Sequence, residues 1–147
     1  MKKILIAALL LISVSFGAMA QNNEVINQRT MASFKNNFVN ASDAVWEQDV
    51  NYSKVTFSLN GSILFAYYMP GGEMIAVGRN ISSSQLPLHL FTELKKEYNS
   101  FWITDLFELS VNGRAEYYIT LENADEKRIL VANGSNWETH NTIYKKN

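Results

Sequence analysis

One pair of residues, Asn112-Gly113, constrains the fold of this chain more than any other feature of its sequence. The pair separates two β-rich runs, and Asn-Gly is the strongest short-range signal for a two-residue hairpin, because a type I′ turn needs positive φ at both central positions. A second pair, Asn60-Gly61, lies in a similar context half a chain earlier. A helix-like segment precedes the strands in both halves. The sequence therefore predicts two copies of one helix-plus-antiparallel-sheet unit.

Each half contains one amphipathic segment and about four strand-like runs. Apolar residues at helical spacing predict helices over residues 30–40 and 88–99. Alternation and turn residues predict strands over residues 44–48, 50–59, 62–69, 73–79, 101–111, 114–122, 126–132 and 136–144. The Ser-rich segment 81–85 separates repeat 1, about residues 30–80, from repeat 2, about residues 86–147. The whole forms one domain of residues 21–147.

The connections decide the fold class. Links of hairpin length cannot make parallel crossovers, so the repeated order of elements excludes a parallel α/β fold. We expect an α+β fold with tandem α-β-β-β-β repeats and two helices packed on one face of a continuous antiparallel sheet of about eight strands. Joining the two sheets edge to edge would remove two exposed edges. The predicted apolar helix faces carry Met31, Phe34 and Phe38 in the first helix, with Val39 beside them, and Leu88, Phe91, Leu94 and Tyr98 in the second, with Leu90 alongside.

The chain has more aromatic residues than two helices need to cover a sheet. Most of them suit the core, because Tyr and Trp pack well on pleated surfaces. Those that alternate with core positions should line the sheet face without helices, and exposed aromatic patches often mark partner sites. In the run 114–122, we expect Tyr117, Ile119 and Leu121 to pack under the helices. Tyr118 and Thr120, which alternate with them, should lie on the open face. The candidate partner-binding residues are Trp46, Tyr68, Trp102 and Tyr118.

Residues 1–20 have the pattern of a secretory signal peptide. Lys2 and Lys3 precede a short apolar core, and Ala18-Met19-Ala20 is a small-x-small cleavage site. The apolar run is shorter than a membrane-spanning helix requires. No Cys follows the cleavage site, which excludes a lipoprotein. We therefore expect cleavage after Ala20, a periplasmic or secreted product, and no membrane span after cleavage.

Composition excludes several functional classes. Without Lys2 and Lys3, 11 basic and 14 acidic residues give a net charge of −3, and no basic run favours nucleic acid. The chain has no Cys, hence no disulfide, thiolate nucleophile or Cys-based metal site. Neither His89 nor His140 has metal-ligand spacing, and no catalytic motif is present. We expect no enzymatic activity, no catalytic or metal-ligating residues and no cofactor.

Several stretches resemble one family of small bacterial periplasmic proteins, the PepSY-like, β-lactamase-inhibitor-protein-like (BLIP-like) family. They are the Val-Trp pair within residues 44–47, the segment from Phe57 through Asn60-Gly61 to Tyr68, the segment 72–76, the Leu86-Pro87 helix start and the segment 116–121. The resemblance implies tandem α-β4 units with both helices on one face of the sheet. It also implies a binding role, since the namesake inhibitor binds an enzyme with its concave sheet face and PepSY domains are proposed to inhibit peptidases.

The leading hypothesis is a non-enzymatic periplasmic binding or inhibitor-type module that uses the open sheet face. Its partner would be a periplasmic protein such as a peptidase or another enzyme. The alternative is a small apolar-ligand or envelope-stress binding protein with a pocket between helices and sheet. A closely packed interface between helices and sheet would argue against that alternative.

Overall fold

The computed structural model describes residues 26–146, so the predicted signal peptide lies outside the described residues. Two α-helices and eight strands follow one another in the predicted order. The elements are α1 (Gln28–Asn37), β1 (Ser42–Gln48), β2 (Ser53–Leu59), β3 (Ser62–Tyr68), β4 (Met74–Asn80), α2 (Leu88–Glu97), β5 (Trp102–Val111), β6 (Arg114–Glu122), β7 (Glu126–Ala132) and β8 (Glu138–Tyr144). A short 3₁₀ helix (Ser83–Gln85) lies in the predicted linker between the repeats.

All eight strands form one antiparallel sheet whose spatial order is the order of the chain, from β1 to β8. The two repeats meet where β4 pairs with β5, with Val77 opposite Ser110 and Gly78 opposite Leu109. The predicted α+β fold and the predicted edge-to-edge junction are both confirmed. Because β1 and β8 are the only edges of this sheet in the described chain, the junction removes two edges that separate repeats would expose.

Both helices cover the same face of the sheet, which we call the helix face. Phe34 of α1 packs on Val55 and Phe57 of β2, whereas Leu90 of α2 packs in a cluster with Ile119 of β6. The two clusters lie on one face of the sheet, because Val77 of the first cluster is paired with Ser110, and Ser110 shares its side of β5 with Leu106 of the second cluster. Burial of these apolar side chains drives both helices onto the sheet.

The two predicted hairpins form with the predicted turn geometry. Asn60 and Gly61 have φ of 50° and 79°, and Asn112 and Gly113 have φ of 52° and 75°. Positive φ at both central residues is the requirement of a type I′ turn, whose twist matches that of the flanking strands. The turns fix the register on either side, with Leu59 opposite Ser62.

The helices differ from their predicted bounds and faces. Each ends earlier than predicted, at Asn37 and at Glu97. Leu88 was placed on the apolar face but is 78% exposed, because the buried stripe of α2 runs through Leu90 and Leu94. Met31 is likewise exposed on α1, where Thr30 occupies the buried position one turn before Phe34. The predicted phase was therefore wrong at the first turn of each helix.

Gly78 permits close packing at the junction of the repeats. A Cβ at this position would lie 2.5 Å from Leu109 Cδ2, 2.6 Å from the Glu108 carbonyl oxygen and 2.8 Å from the Phe65 ring. Leu109 and Phe65 can approach the backbone of β4 only because residue 78 lacks a side chain.

Candidate functional site

The sheet face opposite the helices, which we call the open face, carries a row of aromatic rings across both repeats. The rings of neighbouring members contact one another: Tyr52–Tyr67 at 5.7 Å between centroids, Tyr67–Phe65 at 6.0 Å, Phe65–Phe107 at 5.7 Å and Phe107–Tyr118 at 5.2 Å. The last pair is stacked, with 9° between the ring planes. This aromatic row spans the junction of the repeats, since Phe65 belongs to β3 and Phe107 to β5.

The aromatic row forms a second hydrophobic core. Its cluster includes Ala76, Leu109 and Val111, and in the described part of the chain no helix residue belongs to it. Tyr67 is 4% exposed and Tyr118 is 3% exposed. The rings bury one another, and burial raises the pKa of both tyrosines. The Tyr118 hydroxyl donates a hydrogen bond of 2.9 Å to Glu116 Oε2, which favours the neutral phenol and raises its pKa further.

Charged side chains of alternating sign surround the aromatic row; we call them the charge band. Lys54 Nζ lies 3.2 Å from Glu47 Oε1 and 5.9 Å from the centroid of Phe65. At the other end Lys145 Nζ lies 2.6 Å from Glu122 Oε1 and 5.6 Å from the centroid of Trp102. Electrostatic interactions connect these two ion pairs, and the members of the charge band are Glu47, Lys54, Asp105, Lys127, Glu122 and Lys145.

Asp105 links the two ends of the charge band. Its carboxylate interacts electrostatically with Lys54 of β2 and Lys127 of β7, although β3 and β4 lie between Lys54 and Asp105 in the sheet. The charge band therefore joins residues of both repeats, since Lys54 belongs to repeat 1 and Asp105 and Lys127 belong to repeat 2. Desolvation raises the pKa of Asp105 above its usual value, because the loss of water outweighs the attraction of the two lysines.

Two of the four predicted partner-binding residues lie on the other face. Tyr68 is fully buried in the cluster beneath α1, and its hydroxyl accepts a hydrogen bond of 3.4 Å from Asn37 Nδ2. Trp46 pairs with Val55 and packs edge-on against Phe34 at 5.4 Å. The prediction that Tyr68 lines the open face was wrong. Because β3 is apolar on both sides, its sequence does not show which of its residues face the helices.

The other two predicted residues lie on the open face, at different depths. Tyr118 is in the aromatic row, and the predicted register of β6 is confirmed, because Tyr117, Ile119 and Leu121 pack in the cluster of α2. Trp102 is paired with Glu122 and is 53% exposed at one end of the sheet. Of the four residues, Trp102 is therefore the one whose ring is available to a partner.

The remaining residues of the aromatic row and the charge band were not predicted as site residues. The register of the Asn60-Gly61 hairpin could have located Tyr67. It places Tyr68 opposite Ser53, which shares its side of β2 with the core residue Val55. Tyr67 must then point to the open face. The electrostatic interaction of Lys54 with Asp105 joins strands of different repeats and has no local sequence signal.

The interface between helices and sheet is closely packed at its centre. Leu90, Ile119 and Leu130 are fully buried there. A cavity of about 150 Å³ lies near the C-terminal end of α2, lined by residues that include Tyr98, Phe101 and Ile103. Ligand pockets are usually about 300–1,000 Å³. This packing favours the open face over a pocket under the helices as the place of recognition.

Within residues 26–146 no group of three or more His, Cys, Asp or Glu side chains could hold a metal ion. His89 and His140 are both exposed. No helix among the same residues is long and apolar enough to cross a membrane.

Comparison with known proteins places this fold among bacterial structures. No protein-family model matches the chain, and no match was found among curated proteins. A BLIP-like protein of Bacteroides fragilis superposes with a TM-score of 0.65 at 19% identity, covering 82% of this chain and 87% of its own. A Bacteroides eggerthii protein described as periplasmic gives 0.69 at 14% identity, with coverages of 80% and 87%. A DUF2874 family protein of Bacteroides uniformis gives 0.69 at 12% identity, with coverages of 80% and 88%. The chain thus has the fold of these proteins.

Proposed function

We propose that this protein is an exported, non-enzymatic binding module, of the inhibitor type suggested by its PepSY-like and BLIP-like resemblance, which engages a protein partner through the open face. The observation that carries the proposal is the aromatic row together with the charge band on the sheet face that neither helix covers. Export rests on the signal-peptide pattern of residues 1–20 and on the description of one structural neighbour as periplasmic.

The chemistry of the open face fits a protein surface. Partner-binding surfaces combine aromatic anchors with a polar rim. Trp102 is the exposed anchor, and the Lys145 ammonium makes a cation–π contact with its ring. The charge band presents positive and negative side chains close together. A partner surface that also carries both charges could therefore replace the ion pairs within the band by ion pairs across the interface.

Site-specific photo-crosslinking in the cell envelope of the producing bacterium tests the proposal. A photoreactive amino acid at position 102 should yield a discrete crosslinked partner, whereas the same residue at position 88, on the outer side of α2, should not. Lys127→Glu in the position-102 variant should lower the crosslinking yield, because it breaks the alternation of the charge band beside Asp105. Crosslinking from position 88 alone, or equally from both positions, would contradict recognition by the open face.

A further inference from the structure

The sequence contains three Asn-Gly pairs, and the structure places them in two different settings. Asn60-Gly61 and Asn112-Gly113 are the central residues of two-residue hairpins. Asn133-Gly134 lies in the exposed loop that connects β7 to β8. Asn-Gly is the sequence most prone to deamidation, because glycine does not shield its backbone nitrogen. We propose that Asn133 is a site of spontaneous deamidation in the folded protein, and that the two hairpins protect Asn60 and Asn112.

The reaction needs no catalyst beyond water. The backbone nitrogen of Gly134 attacks Cγ of Asn133, a C–N bond forms, and the side-chain amide nitrogen leaves as ammonia with the transferred proton. The resulting succinimide then adds water, which opens the ring to aspartate or to isoaspartate. The rate depends on how closely the attacking nitrogen can approach Cγ, as for any intramolecular reaction.

The hairpins hold this nitrogen away from the side chain. In a type I′ turn the first central residue has ψ of about +30°, the mirror image of a type I turn. At that ψ the next backbone nitrogen lies nearly opposite Cβ across the Cα–C bond, the arrangement furthest from attack. Each turn is closed by a strand pair, Leu59 opposite Ser62 in one hairpin and Val111 opposite Arg114 in the other. These pairs oppose the rotation that would bring the glycine nitrogen close to the asparagine Cγ.

The loop at Asn133 imposes no such restraint. Positive φ is found neither at Asn133 nor at Gly134, so this pair does not form a type I′ turn. Both residues are exposed, and among the described residues none accepts a hydrogen bond from the Gly134 N–H. Rotation about ψ of Asn133 therefore breaks no ladder of hydrogen bonds, unlike the same rotation at Asn60 or Asn112.

Deamidation here would alter a loop that is attached to α2. Trp137, which follows the loop, donates a hydrogen bond of 3.0 Å from Nε1 to the Leu90 carbonyl oxygen. Its backbone N–H also lies 3.3 Å from both carboxylate oxygens of Glu93. Isoaspartate adds one carbon to the main chain of this loop, and either product adds a negative charge.

Peptide mapping by mass spectrometry tests the inference with internal controls. The folded protein is incubated in mildly alkaline buffer, and deamidation at the three Asn-Gly sites is followed in one sample. Asn133 should react at least about tenfold faster than Asn60 or Asn112, because small displacements from attack geometry slow such reactions strongly. In urea the three rates should become similar, since the hairpins are lost.

A matched variant separates the chemistry from the fold. Gly134→Ala should slow deamidation at Asn133 and leave Asn112 unchanged, and a Cβ at residue 134 meets no atom within 4 Å, so the fold should persist. The inference is overturned if Asn60 or Asn112 reacts as fast as Asn133 in the folded protein. It is equally overturned if Asn133 stays intact while the urea-unfolded chain deamidates there.

Discussion

Asp105 lies between Lys54 and Lys127 in the charge band, and it is partly desolvated although its side chain is still exposed to water. Desolvation raises its pKa even though the Leu106 backbone N–H and the charges of Lys54 and Lys127 act to lower it. Asp105 also interacts electrostatically with Tyr67. A carboxyl whose pKa is higher in the folded than in the unfolded state binds protons more tightly when folded. The free energy of unfolding should therefore fall as pH rises from the unfolded value of 3.8 through the raised folded pKa.

Asp105→Asn should consequently raise stability at neutral pH by a small amount, because Asp105 is exposed and water screens its charge, and the gain should disappear well below pH 3.8, where wild-type Asp105 is protonated in both states. Urea titrations at both pH values measure the effect. Asp125→Asn, which removes the same charge from the exposed β6–β7 turn, is the control and should show no such gain. A variant less stable than wild type at neutral pH would mean that the attraction of the lysines exceeds the desolvation of Asp105.

Trp137 fastens the β7–β8 loop to α2 through a buried hydrogen bond. Trp137→Phe should lower the free energy of unfolding by about 2 kcal/mol, because it removes this bond and leaves unfilled volume. Trp102→Phe is the matched control and should change stability by less than about 0.5 kcal/mol, since its ring is half exposed. Equal losses in urea denaturation of the two variants would contradict the role of the hydrogen bond.

For individual residues, the sequence predicted the correct sheet face where a strand had one polar side, and the wrong face where both sides were apolar. Tyr118 was assigned to the correct face because polar residues flank the apolar pattern of β6. Tyr68 was assigned to the wrong face because the strand Ser62–Tyr68 is apolar throughout. The buried state of Tyr118 was also unforeseen, since it depends on Phe107 from the neighbouring strand.

Among the elements, the hairpins could be predicted almost completely and the helices less well. The bounds of β6 and β7 match the prediction residue for residue, because turn-forming residues lie on both sides of each strand. The helices have weak start signals, and packing on the sheet sets their phase. The junction of β4 with β5 was expected only from the general disadvantage of exposed edges.

Gly78 gives the junction between repeats a sharp test. Gly78→Ala should lower the free energy of unfolding by about 1–3 kcal/mol, because its Cβ would overlap the Glu108 carbonyl oxygen, which is backbone and cannot move aside. Gly71→Ala, at a turn position where a Cβ meets nothing within 4 Å, should stay within about 0.5 kcal/mol of wild type. Thermal and urea unfolding measure both. A Gly78→Ala variant as stable as Gly71→Ala would show that the junction is loosely packed.

For the whole molecule, the continuous sheet makes the two repeats one cooperative unit. The helix-face clusters belong to separate repeats, but the cluster of the aromatic row includes residues from both. We therefore expect a single unfolding transition, because neither repeat can unfold without breaking the aromatic row and the β4–β5 ladder.

Single-tryptophan variants provide the measurement. One variant keeps only Trp46, which reports on repeat 1, and the other keeps only Trp137, which reports on repeat 2. Their fluorescence transitions in urea should coincide with the transition seen by circular dichroism in each variant. Separate midpoints within one variant would show that the repeats unfold independently.

The order of the strands also has a mechanical consequence. Because the eight strands alternate in direction, the chain enters β1 and leaves β8 at the same end of the sheet, on opposite edges. Tension between the two termini therefore pulls across the strands and loads their hydrogen bonds one after another. Under such a load the sheet should peel from its edges, strand by strand, at forces well below those that a protein with sheared terminal strands withstands.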